Sequence, residues 1–184
     1  MHAAAALSVL IATMIGTSPA ICTSDVPVAI TADGSILIGS GIRVPAVPVA
    51  GKWTEFEAKS SDRYDVRHFN YMVPGRAPAI ELDISASKDG ETSDGVFEIG
   101  FVRGYIRSFA SNGGFIAEDP VFDDRLVGTV AANHTVVKLT DKSRTLWVHA
   151  YIFIRRPLLI FIVIGTREGE EPSIEKYLAG VEFK

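Results

Sequence analysis

A chain of 184 residues suits one domain, and 47% hydrophobic against 22% charged residues is the balance of a folded globular protein. The formal net charge is −4 and the Lys and Arg residues are scattered, which argues against nucleic acid or an anionic membrane as the main partner.

The first twenty residues, "MHAAAALSVLIATMIGTSPA", carry no charged side chain. Residues 3–15 form a largely apolar run, and Ser18-Pro19-Ala20 supplies small residues at a cleavage position, so 1–20 reads as a secretory signal peptide cleaved near Ala20. The run is shorter than the roughly 20 residues a span requires. Cys22 is the sole cysteine, which rules out an intramolecular disulfide, and bulky Ile21 before it argues against a lipid anchor. A secreted or periplasmic location is the expectation.

Residues 21–50 are rich in Pro, Gly and small side chains, and Pro45 and Pro48 exclude a central strand. An extended lead-in or edge hairpin is expected, with Ala32-Asp33-Gly34-Ser35 as a tight turn. In 52–59 ("KWTEFEAK") the odd offset of Trp53 from Phe56 supports only a short strand. Residues 65–73 alternate, with Val66, His68, Asn70 and Met72 on one face and Arg67, Phe69, Tyr71 and Val73 on the other. After a turn at Pro74-Gly75-Arg76, residues 79–85 form a strand with Ile80, Leu82 and Ile84 inward.

Thr92, Ser93 or Asp94 can cap a helix, and Ile99, Val102, Ile106 and Phe109 recur at helical spacing until Asn112-Gly113-Gly114 stops it. Gly100 and Gly104 within it suggest close packing on a sheet. Residues 121–132 and 135–139 read as strands joined through Asn133-His134, and 145–154 and 158–166 as strands flanking Arg155-Arg156. A short C-terminal helix begins near Pro172 and ends at Gly180.

This order predicts an α+β fold: a single domain (51–184) with an antiparallel β-sheet, one main amphipathic helix (about 95–111) and a short C-terminal helix packed on it. In the helix at 96–110, the late hairpin at 146–165 and the tail "SIEKYLAGVEF", the chain resembles the Mog1/PsbP-like α/β/α sandwich superfamily in element order. That resemblance covers about the last 130 residues and implies a small accessory or binding protein.

No motif assigns catalysis. His68, His134 and His149 lack metal-ligand spacing, there is no GxSxG elbow, and Gly39-Ser40-Gly41 lacks the rest of a phosphate loop. The acids Glu118, Asp119, Asp123 and Asp124 lack the spacing of a calcium loop. Asn133-His134-Thr135 forms a glycosylation sequon. No catalytic residue, metal ligand or cofactor is predicted.

The stretch "HAYIFIRRPLLIFIVIG" (149–165) has apolar runs too short to span a membrane and two arginines at its centre, so it is a hairpin turning at Arg156-Pro157. Alternation places Trp147, His149, Tyr151 and Phe153 on one face beside Ile160, Ile162 and Ile164, and leaves no polar face. Either both faces are covered, or this aromatic stripe is a binding surface for a protein partner or small apolar ligand. The function expected is a non-catalytic binding module. The alternative is a hydrolase or metal-dependent enzyme whose site is assembled from scattered His and Asp/Glu residues.

Overall fold

The computed structural model describes residues 26–60, 62–74, 80–88, 95–166 and 171–184. The expected signal peptide, the helix cap at 92–94 and the turn residues Gly75-Arg76 lie outside them.

Three short strands come first: β1 (Val28–Ile30), β2 (Ile36–Ile38) and β3 (Ile42–Val44). Next are β4 (Lys52–Ser60), β5 (Tyr64–Met72) and β6 (Ile80–Ser87), followed by helix α1 (Gly95–Gly113). Then β7 (Ile116–Ala117), β8 (Phe122–Val127), β9 (Val130–Thr140), β10 (Thr145–Arg155) and β11 (Leu158–Thr166) precede α2 (Glu171–Leu178) and β12 (Glu182–Phe183).

Two sheets result. The larger has the order β4-β5-β6-β11-β10-β9-β7, with β8 also paired to β9, and the smaller runs β1-β2-β3-β12. Every ladder is antiparallel. One face of the large sheet packs on α1 through Val102, Ile106 and Ala110 against Val137, Val148, Ile152 and Phe161. On the other face, the small sheet and α2 bring Ile36, Ile38, Ile174 and Leu178 to Phe69, Leu82, Phe153 and Ile162. The result is three layers: helix, sheet, then sheet with helix.

This corrects the α+β expectation. The fold is β-rich, with twelve strands in two sheets and only two helices among the described residues. The C-terminal helix does not join α1; the two lie on opposite faces of the large sheet. The reason lies in 26–50, where Pro and Gly suggested a lead-in. Its strands are three residues each, too short for alternation to be legible, yet together they seal a whole apolar face. The turn between β1 and β2 is the expected one, with Gly34 at φ 83.

Two further readings are revised. Gly100 and Gly104 face solvent with nothing near a Cβ position, because α1 turns Val102 and Ile106 to the sheet, and residues two positions away point elsewhere. The β8–β9 turn falls at Gly128-Thr129, with Gly128 at φ 62, and Asn133-His134 lies inside β9. The odd offset in β4 has a simple outcome. Trp53 pairs with Tyr71 and is buried, whereas Phe56 pairs with His68 on the opposite face, before a register shift between Phe56 and Lys59. Among the described residues, no helix is long and apolar enough to cross a membrane.

Candidate functional site

The β10–β11 hairpin has the expected register. Phe153 pairs with Ile160, Tyr151 with Ile162 and His149 with Ile164, while Ile152 pairs with Phe161 on the other face. The aromatic stripe therefore forms, but the chain covers it. His149, Tyr151 and Phe153 are 3%, 2% and 0% exposed, and Trp147 is half-buried with the Lys138 ammonium over its ring. The β1-β2-β3-β12 sheet supplies the cover, since Phe153 packs on Phe183 with ring centroids 5.2 Å apart. The stripe is thus core over most of its length rather than an open surface. Tyr151 lines a cavity at the side of α2.

The turn of the same hairpin is more open. A groove of about 560 Å³ runs between the Arg155-Arg156-Pro157 turn, the Gly39-Ser40-Gly41 turn and the C-terminal Phe183-Lys184. These pieces lie far apart in the sequence, and no local spacing relates them. What joins them is β12 pairing with β3, together with two backbone bonds: Lys184 N–H to Gly41 O at 2.6 Å and Gly39 N–H to Pro27 O at 2.8 Å. The lining is apolar beneath (Ile38, Ile42, Leu158 and Phe183) and cationic at the rim (Arg155, Arg156 and Lys184). Among the described residues, no acidic side chain lines it. The Arg155 guanidinium stacks over Phe183 at 5.0 Å, and neither Arg155 nor Arg156 pairs with a carboxylate among the described residues. Lys184 has a loose partner in Glu182 at 3.9 Å.

Among the described residues, histidine–carboxylate bonds occur at His68 and at His134. Under α1, adjacent strands β5 and β6 pair His68 with Asp83 and Asn70 with Glu81 across one ladder. His68 Nδ1 bonds the Asp83 carboxylate, and the Tyr105 hydroxyl of α1 donates to Glu81. The Asp83 bond raises the His68 pKa above its ordinary value, and burial pushes that of Glu81 up as well. On the opposite face, Asp123 of β8 accepts from His134 Nδ1 at 2.7 Å and from Arg125 Nε at 3.0 Å. Burial lowers the His134 pKa despite that bond. The carboxylate run 118–124 does not converge: Asp119 meets Arg107 at 3.4 Å, while Asp123 and Asp124 point to opposite faces of β8. Among the described residues, no group of three His, Cys, Asp or Glu side chains could hold a metal ion.

No family model and no curated protein matches the chain. One solved structure it is similar to is PA94 from Pseudomonas aeruginosa, a protein of unknown function. The match covers 84% of this chain and 94% of that one at 15% identity, and its TM-score of 0.33 is too low to carry an argument about fold or activity.

Proposed function

We propose that this protein is a secreted or periplasmic, non-catalytic binding module that takes an anionic amphiphile in the groove at the β10–β11 turn. One observation carries the reading: two adjacent guanidiniums, without carboxylate partners among the described residues, stand over an apolar floor in a groove where no described lining residue is acidic. A carboxylate or phosphate head would accept charge-assisted hydrogen bonds from Arg155 and Arg156, and an apolar tail would lie on Ile42, Leu158 and Phe183. The volume of about 560 Å³ falls within the roughly 300–1,000 Å³ typical of small-molecule sites. The resemblance in element order to the Mog1/PsbP-like superfamily supports binding over catalysis.

The test is calorimetric titration with decanoate and, as a control of opposite charge, decyltrimethylammonium. Decanoate should bind and the cation should not. Replacing Arg155 and Arg156 together by Gln should weaken decanoate at least about tenfold, since bonds to charged groups contribute about 1.5–3 kcal/mol each. Equal binding of both probes, or an unaffected double variant, refutes the proposal.

The enzyme alternative has one observation behind it, the His68–Asp83 pair beside Glu81, since an oriented imidazole is the usual general base. The His68 side chain is 27% exposed, enough for a substrate atom to touch. Ester-hydrolysis assays in which the wild type and His68→Gln both match buffer alone would remove it.

A further inference from the structure

A second cavity lies between β8 and α2 and shares no lining residue with the groove. It encloses about 240 Å³, roughly eight liquid-water volumes, and is walled by Arg125, Tyr151 and Glu175 with Gly128 and Ala179 at its edge. Its deepest group is unusual. Tyr151 is 2% exposed and lines this cavity, and no hydrogen bond holds its hydroxyl among the described residues. A buried phenol ordinarily finds a partner, so a hydroxyl left facing a cavity marks a place where a ligand atom would complete the bonding.

The walls set the ligand's charge. Arg125 spends Nε on Asp123 and Nη1 on Glu175 at 3.2 Å, which leaves Nη2 for an incoming acceptor. Glu175 comes from α2 and Arg125 from β8, so opposite charges face each other across the mouth. A simple anion would meet the Glu175 carboxylate, and a simple cation would meet the Arg125 guanidinium. Only a molecule carrying both charges close together matches both walls. Behind the phenol, the His134 ring stacks 4.4 Å from that of Tyr151, and Asp123 holds it through Nδ1 at 2.7 Å. This fixes the floor in place. Burial pushes the Tyr151 pKa up to about 12, so the phenol stays neutral and able to donate.

We propose that this cavity binds a small zwitterion of the α-amino-acid class, its carboxylate held by Arg125 and the Tyr151 hydroxyl and its ammonium by Glu175. The Arg125–Glu175 pair then acts as a latch that opens to ligand charges of matching sign. Its size selects small side chains.

The experiment is a thermal-shift panel of the twenty common amino acids, followed by calorimetry of the best binder against its amide and its deaminated acid. The zwitterion should bind saturably at millimolar concentration, with the amide and the acid each weakened about tenfold or more, as the loss of one charge-assisted contact implies. Tyr151→Phe preserves ring packing and should weaken the zwitterion severalfold with little change in melting temperature. Arg125→Gln should abolish binding. Absence of saturable binding by any amino acid overturns the proposal, as does equal affinity for zwitterion, amide and acid, or a Tyr151→Phe variant that binds as well as the wild type. Decanoate binding in the groove is read separately, so either site can fail without the other.

Discussion

If the β10–β11 hairpin is sealed on both faces, two phenylalanines that point in opposite directions must both matter. Phe153 is 0% exposed and packs toward the small sheet; Phe161 is 1% exposed and lies under α1, with Phe101 and Tyr105 edge-on at 5.6 and 5.4 Å. Truncating a buried phenylalanine to alanine costs about 3–5 kcal/mol through lost transfer energy and the cavity left behind. Phe161→Ala also loses two aromatic pairs worth about 0.5–1.5 kcal/mol each, which places it at the upper end. Against a typical stability of about 5–15 kcal/mol, either change is severe but survivable. Equilibrium unfolding in urea should show midpoints lowered by about 1–2 M for a slope near 2–3 kcal/mol/M. Leu126→Ala, at a side chain 77% exposed, serves as the control and should stay within about 0.5 kcal/mol of the wild type. A Phe153→Ala cost below about 1 kcal/mol, with Phe161→Ala at full cost, would mean that the small sheet does not cover its face, and the three-layer description would fall.

The two histidine–aspartate pairs should titrate on opposite sides of the ordinary imidazole value of about 6.5. His68, raised by Asp83, contributes stability that is present below that value and lost as pH rises through its folded pKa; His134, lowered by burial, contributes stability that is present above it and lost as pH falls. Imidazole proton resonances, assigned with His68→Gln and His134→Gln, should show that order, and the reverse order would refute it. One substitution made at two glycines should change stability with opposite signs. A Cβ at Gly51 would sit 2.6 Å from the Met72 carbonyl and 2.7 Å from the Tyr71 ring, so Gly51→Ala should destabilise by about 1–3 kcal/mol. Gly104→Ala, on the open side of α1, should stabilise by about 0.5–1 kcal/mol through helix propensity. Thermal melts of the two variants moving in the same direction would contradict these environments.

The large sheet was legible wherever strands were long enough to show their period. Alternation placed Phe69 and Tyr71 opposite His68 and Asn70, and a two-residue turn placed Tyr151 against Ile162, as the register shows. The small sheet was not legible, because Ile36–Ile38 and Ile42–Val44 are each shorter than two full alternations. Their partner Glu182–Phe183 lies far along the chain. The sites escaped for the same reason. Arg155 and Lys184 meet at one groove, and Tyr151, Arg125 and Glu175 at one cavity, through tertiary placement that no local spacing encodes. The aromatic stripe drew attention because it was apolar, but its hydrophobicity reflects a second covering layer.

The large sheet is two sequence-local meanders, β4-β5-β6 and β7 through β11, joined by a single ladder between β6 and β11. Within each meander, most pairs close short loops. The joint pairs Ile84 with Ile160 and Leu82 with Ile162, and must close a loop that contains all of α1. Loop-closure entropy is lost before such contacts are gained, so this one seam governs how fast the molecule assembles. Conservative truncation at Leu82 should slow refolding, and truncation at Val137, inside a meander that forms before the seam closes, should leave the unfolding rate nearly unchanged. Stopped-flow kinetics in which the Val137 truncation acts chiefly on the unfolding rate would show that the halves do not form first.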